Sequence, residues 1–195
     1  MTEQNEWARQ AAADPEHSDR YVERFRSLAA EGFDLDGEAR LVDAMLARGS
    51  RVLDAGCGPG RVGAALAAAG HEVVGVDADP VLVAAARADH PGPTWLVGDL
   101  AELALPGRFD AVVCAGNVMA FLAPSTRRRV LARFLAHVVP GGRAAIGFGA
   151  DRGYPFPEFL DDARAVGWRV DLQLSTWDLR PATPDADFLV AVLST

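Results

Sequence analysis

A chain of 195 residues, half of them apolar, is long enough to bury one core and short for two, so one domain is expected. Its formal net charge of -8 opposes a phosphate backbone, which needs a basic face, and so argues against a nucleic-acid partner or substrate. No run approaches the roughly 18 uninterrupted apolar residues of a membrane span, and Met1 to Trp7 lacks the basic and apolar regions of a signal peptide, so a cytoplasmic protein with no membrane partner is expected.

Residues 1–49 read as a helical prefix. Trp7, Tyr21, Phe25 and Leu28, then Leu41 and Met45, recur at three- and four-residue intervals. Breaks are expected at Asp14-Pro15 and around Gly32 to Gly37, with Asp36 suited to cap the helix that follows. The aromatic stripe fits core packing, a lid over a site, or both for different residues. From Arg51 onward, strands of four to seven apolar residues alternate with helical stretches, which is the pattern of a parallel sheet covered on both faces. The first strand, Val52 to Asp54, breaks into Ala55-Gly56-Cys57-Gly58-Pro59-Gly60-Arg61, and an alanine-rich helix over Val62 to Ala69 stops at Gly70. A glycine turn between strand and helix lets backbone approach a ligand that side chains would block.

The second strand, Glu72 to Val76, ends at Asp77, about 20 residues past the first glycine, where a carboxylate can accept both hydroxyls of a ribose. Asp79-Pro80 caps a helix through Ala88, and His90 to Pro93 ends it. Thr94 to Gly98 is the third strand, followed by Asp99-Leu100, and Phe109 to Ala115 is the fourth. Ser125 is expected to cap a helix through Val138 whose Arg127, Arg128 and Arg129 form a solvated face. Pro140-Gly141-Gly142 reads as a tight turn into a fifth strand, Arg143 to Phe148. A helix over Pro157 to Val166 closes at Gly167, and Trp168 to Leu179 and Phe188 to Leu193 read as two strands with no helix between, hence antiparallel neighbours.

Asp54-Ala-Gly-Cys-Gly-Pro-Gly60, the acidic strand end at Asp77 and Gly98-Asp99-Leu100, in that order, resemble the class I S-adenosylmethionine-dependent methyltransferases over about Arg51 to Phe148. The resemblance implies an α/β fold: a Rossmann-like, seven-stranded, mostly parallel sheet in the order 3-2-1-4-5-7-6, strand seven antiparallel. It implies one methyltransferase domain over 1–195, with 1–49 as prefix or lid and 50–195 as the core. It further implies S-adenosylmethionine as cofactor, S-adenosylhomocysteine as product, and a small-molecule acceptor, in a monomer or homodimer. The cofactor would then meet Asp54, Gly56, Cys57 and Gly58 along the glycine loop, Asp77 and Ala78 at the ribose, Asp99 and Leu100 at the adenine, and Ala115 after the fourth strand.

Methyl transfer from a sulfonium is an in-line displacement, so the protein needs chiefly to position a nucleophile and exclude water, and no catalytic residue is assigned. His17, His71, His90 and His137 are expected at the surface, with His17 in the prefix that could cover the site. For the acceptor, Tyr21 and Arg40 in the prefix and Asn117 after the fourth strand are candidates, each with a bland alternative: surface salt bridging for the first two, a satisfied turn for Asn117. Met119 and Phe121 read as packing residues or an apolar substrate wall. The chain has Gly116-Asn117-Val118-Met119-Ala120-Phe121 where the family often carries Asn/Asp-Pro-Pro-Tyr/Phe for amide, base or planar amine acceptors, and this weighs against those acceptors. Cys57 and Cys114 share no C-x-x-C spacing and are expected as buried free thiols, and no metal site is evident. Two other readings stay open, a nicotinamide-dependent oxidoreductase through the embedded Gly58-Pro59-Gly60-Arg61-Val62-Gly63 and a non-catalytic cofactor-binding module. Asp54 stands against the former, since a pyrophosphate would approach a carboxylate there.

Overall fold

Seven apolar runs make one sheet in the computed structural model, which describes residues 5–195. The part of the prefix expected over residues 1–4 lies outside the described residues. The strands are β1 (Arg51–Ala55), β2 (Glu72–Asp77), β3 (Thr94–Val97), β4 (Phe109–Cys114), β5 (Val138–Gly149), β6 (Arg169–Leu174) and β7 (Phe188–Ser194), in the order β3-β2-β1-β4-β5-β7-β6. The first five run parallel, and β7 pairs antiparallel with both β5 and β6, as expected. A hairpin connection with no crossover helix leaves β7 no other direction.

Successive side chains of a strand face opposite ways, which builds the two layers. Leu53, Val74, Val112 and Ile146 face one side, under α7 (Arg127–His137) and α8 (Phe156–Ala165). Val52, Val73, Val113 and Ala145 face the other, under α3 (Gly37–Ala44) and α4 (Arg61–Ala68). The prefix breaks where proline and glycine predict, into α1 (Glu6–Ala13), α2 (His17–Ala30) and α3. After β2, α5 (Pro80–Asp89) is capped by Asp79, whose carboxylate accepts the Val81 amide at 2.8 Å. A four-residue α6 (Val118–Phe121) follows β4.

Several local expectations are corrected. Asp36 stands at the start of α3 but makes no side-chain cap, and Thr126 rather than Ser125 precedes α7. The turn expected at Pro140-Gly141-Gly142 is a bulge inside β5: Phe109 pairs with Val138 but Ala111 pairs with Arg143, so extra β5 residues loop out, with Gly141 at φ +79°. The strand expected to Leu179 ends at Leu174, because the Ser175 amide bonds the Arg180 carbonyl and folds Trp177 back over Gly147. His71 and His137 are buried, not superficial: His71 pairs with Asp43 at 3.0 Å, and His137 accepts the Leu105 amide. Arg127 is not on a solvated face either. Its guanidinium stacks 4.0 Å over Tyr154 and donates to the Gly153 carbonyl, while the exposed Arg128 and Arg129 pair with the buried Asp162 and the exposed Glu102. Cys57 and Cys114 are buried free thiols.

Trp95 on β3 lies across the glycines that precede the site. A Cβ on Gly75 would sit 2.3 Å from its Cε3, and Cβ atoms on Gly60 and Gly63 would meet the same ring at 3.0 and 2.8 Å. Gly75→Ala is therefore expected to cost about 1–3 kcal/mol by overpacking, read as a lower urea midpoint at unchanged slope. An unchanged midpoint would show that the indole moves aside freely.

Candidate active site

The carboxyl ends of β1, β2 and β4 open into one cleft. Asp54, next to last in β1, is almost fully buried, at 2% exposure, and its Oδ2 accepts the Gly63 amide at 2.9 Å. That amide is one of the unpaired donors at the start of α4, so a side chain already supplies the negative charge the helix end favours. Burial pushes the Asp54 carboxyl up to about 7, against the pull of that hydrogen bond. At the tip of β2, Asp77 Oδ2 accepts the Gly58 amide and Oδ1 the Asp79 amide, both at 2.9 Å, and burial raises its carboxyl as well. The Gly56 and Cys57 amides both reach the Val76 carbonyl, which bolts the glycine loop to β2. Asp99 caps the short 3-10 turn Leu100–Glu102 through the Ala101 amide at 2.8 Å.

Aromatic rings from the prefix roof the cleft. Trp7 on α1 meets Tyr21 on α2 at 5.1 Å and Phe121 on α6 at 5.6 Å, and Tyr21 meets Phe25 at 5.0 Å, all edge to face. A Cβ on Gly58 would touch Tyr21 Cε1 at 3.8 Å, and one on Gly116 would touch the Tyr21 hydroxyl at 3.8 Å, so this ring spans the ends of β1 and β4. The Tyr21 hydroxyl makes no hydrogen bond with the described residues, and burial raises its pKa. Arg61 lines the same wall but is engaged: Glu38 holds it in a two-point pair at 2.5 and 2.8 Å, and the Leu35 carbonyl accepts from it too.

Asp54, Gly56, Cys57, Gly58, Asp77, Ala78, Asp99, Leu100, Ala115 and Tyr21, all expected from the sequence, line this one cleft. Arg40 and Asn117 do not. Arg40 turns to solvent and pairs with Asp34 at 2.7 Å, because Ala39, Leu41 and Val42 take the buried side of α3. Asn117 adopts φ +67° and its Oδ1 accepts the Gly149 amide at 2.8 Å, tying the β4 turn to the end of β5. Of the pair left open, Met119 is core and Phe121 is wall. Trp7 and Phe25 were visible only as members of an aromatic stripe, and Arg61, Val118 and Leu122 carried no signal of their own. Among the described residues no cluster of His, Cys, Asp and Glu could hold a metal ion, and no helix is long and apolar enough to cross a membrane.

A methyltransferase domain model matches residues 52–142. The crystal structure of a TehB-like S-adenosylmethionine-dependent methyltransferase from Corynebacterium glutamicum superposes with TM-score 0.90 at 47% identity, covering 93% of this chain and 100% of that one. The chain belongs to the S-adenosylmethionine-dependent methyltransferases. Among curated methyltransferases, the magnesium-protoporphyrin O-methyltransferase of Rhodobacter capsulatus is 36% identical over 130 residues, 63% of this chain and 54% of the relative. The ubiquinone biosynthesis O-methyltransferase of Xanthomonas campestris is 34% identical over 111 residues, 48% of this chain and 46% of the relative. The chain thus spans about half the length of these two relatives.

The buried carboxyl of this methyltransferase has a titration signature. An Asp whose folded pKa lies above its unfolded value binds more protons folded than unfolded, so its contribution to stability declines as pH rises from about 4 to about 7. Asn at position 54 still offers an oxygen to the Gly63 amide and does not titrate. Asp54→Asn is expected to gain stability relative to the parent, without ligand, between about pH 4 and about pH 7, measured as urea midpoints across that range. Parallel curves for the two proteins would mean that Asp54 is ionised throughout.

Proposed function

We propose that the protein transfers the methyl group of S-adenosylmethionine to a small-molecule acceptor and releases S-adenosylhomocysteine, with residues 1–195 acting as one domain in which the prefix, 1–49, covers a core of 50–195. The observation that carries this reading is the pair of carboxylates on the glycine loop. Asp54 fills the start of α4, and Asp77 stands at the tip of β2 beside Gly58. A pyrophosphate would compete with Asp54 for the same helix terminus, whereas a nucleoside bearing a sulfonium brings positive charge to a cleft lined by three carboxylates, Asp54, Asp77 and Asp99. Gly58 and Gly116 have open space where a side chain would point, bounded by Tyr21, which fits a ligand passing close to backbone there.

When bound, the cofactor supplies an electrophilic methyl group on sulfur. Asp77 would accept the ribose hydroxyls, Asp99 would face the adenine amino group beside Leu100, and Gly56, Cys57 and Gly58 would run under the methionine portion. Trp7, Phe25, Val118, Phe121 and Leu122 would exclude water, and the Tyr21 hydroxyl, which no described residue engages, would orient the acceptor. The acceptor lone pair forms the new bond to carbon as the carbon–sulfur bond breaks, with the electron pair left on sulfur and any acceptor proton passing to solvent. The relatives named for O-methylation of magnesium-protoporphyrin and in ubiquinone biosynthesis support a small organic acceptor, and the net charge of -8 weighs against the RNA acceptor of the ribosomal RNA methyltransferase that is 34% identical over 125 residues.

S-adenosylhomocysteine is expected to raise the melting temperature and NAD to leave it unchanged, since a ligand stabilises the state it binds. Equal shifts would refute the assignment. Asp77→Ala should weaken S-adenosylhomocysteine binding by about 2–4 kcal/mol in calorimetry, through loss of a charge-assisted pair of hydrogen bonds. Unchanged affinity would place the ribose elsewhere.

A further inference from the structure

One carboxylate joins the roof of the cleft to its floor. Asp79 lies two residues past the β2 tip and is 8% exposed. Its Oδ1 caps α5 through the Val81 amide. Capping needs one oxygen. The other, Oδ2, accepts the Trp7 indole N–H at 2.8 Å and the Ser18 hydroxyl, drawing α1 and α2 together onto this single atom. From its own backbone, Asp79 donates to Asp77 Oδ1, while Asp77 Oδ2 holds the Gly58 amide. A continuous run of hydrogen bonds therefore connects the glycine loop to the prefix helices in two residues of sequence.

Among the described residues, α1 is otherwise held by Trp7, which packs against Val22, Leu82 and Ala85. None of its residues is buried, and Trp7 is its contact with the aromatic roof, set against His17 at 4.6 Å as well as Tyr21 and Phe121. The α2 helix adds Val22, packed with Leu82 and Ala85 of α5, and a partly exposed pair between Arg26 and Asp89. Exposed pairs of that kind hold weakly. An indole N–H can only donate, so Trp7 can dock at this point only against an acceptor.

We propose that Asp79 is a positioning residue that latches α1 and α2 over the cleft and thereby governs how long the cofactor is retained. The inference rests on the reading above, in which Asp77 holds the ribose: cofactor on Asp77 and roof on Asp79 then share one rigid strand tip. Closing the roof sequesters the reacting methyl from water without contributing a group to the chemistry.

Asp79→Asn isolates this role. Asparagine caps helices as well as aspartate does, so the Oδ1 bond to Val81 is kept, but its NH₂ faces the Trp7 N–H donor to donor. The serine hydroxyl can turn to accept from it; the indole cannot. The variant should release S-adenosylhomocysteine about tenfold faster or more, with association little changed, in stopped-flow or surface-binding kinetics. Amide exchange should accelerate in residues 6–30 and stay slow in β1, β4 and β5. Trp7→Phe keeps an aromatic wall and deletes the same hydrogen bond, so it should release the product equally fast, and combining the two substitutions should add little. If Asp79→Asn releases S-adenosylhomocysteine within about twofold of the parent rate, or if exchange rises in α5 and the sheet as much as in α1 and α2, Asp79 is a helix cap and nothing more. A parent protein that fails to bind S-adenosylhomocysteine overturns the functional reading and this inference together, whereas tight parent binding with an unaltered variant overturns the inference alone.

Discussion

The start of α4 is where this structure departs from a phosphate-binding fold, and much of the site follows from that. A helix N-terminus presents amides that want an anion. Here Asp54, from the strand that feeds the helix, occupies Gly63 N–H at 2.9 Å. The local anion site is filled from within, and the glycine loop is free to curl toward β2, where Val76 and Asp77 take the Gly56, Cys57 and Gly58 amides. Each loop amide so bonded leaves less backbone available for phosphate and leaves carboxylate oxygens facing the cleft.

The glycines divide by task once their neighbours are known. Gly60, Gly63 and Gly75 make room for Trp95, whose ring fills the space beneath the loop and whose N–H bonds the His90 carbonyl. Gly56 makes room for Val118 of the opposite wall, 2.3 Å from a would-be Cβ. Gly58 and Gly116 face the cavity. The embedded G-x-G-x-x-G is thus mostly a packing motif: two of its three glycines answer to an indole on the third strand, and only the first answers to a ligand surface. A motif of this kind matches a dinucleotide fingerprint for reasons unconnected with dinucleotides.

That division explains what the sequence disclosed and what it withheld. The strands and the tip residues Asp54 and Asp77 were legible because alternation and turn residues are local, whereas the strand order and the place of Asp99 were implied by the family resemblance. Positions whose role depends on a distant partner were not. Asn117 looks like a site residue until its side-chain oxygen is found accepting the Gly149 amide, 32 residues on. Arg40 and Arg61 are equally cationic in sequence, and which one faces the cleft is decided by the side of α3 that buries Val42 and by the reach of Glu38. Arg127 looks solvated in a run of three arginines and is instead stacked on Tyr154, which lies 27 residues later. The bulge in β5 was misread as a turn because glycines with positive φ serve both, and only the register with β4 tells them apart.

Electrostatics tie these features to the cationic ligand proposed for the cleft. Asp54 and Asp77 lie where burial disfavours their charge, and Arg61, which lines the same cleft, is held by Glu38. The walls therefore carry an unmet demand for positive charge, while Trp7, Tyr21, Phe25 and Phe121 keep water away from it. An anion entering would meet carboxylates, while Arg61 on the same wall is already paired with Glu38. A cation would relieve the cost of ionising Asp54, and aromatic faces attract positive charge in the same low-dielectric space. The roof and the carboxylates depend on each other: without the rings, solvent would screen the acids and weaken the preference for a cation, and without the acids the rings would enclose only an apolar hole.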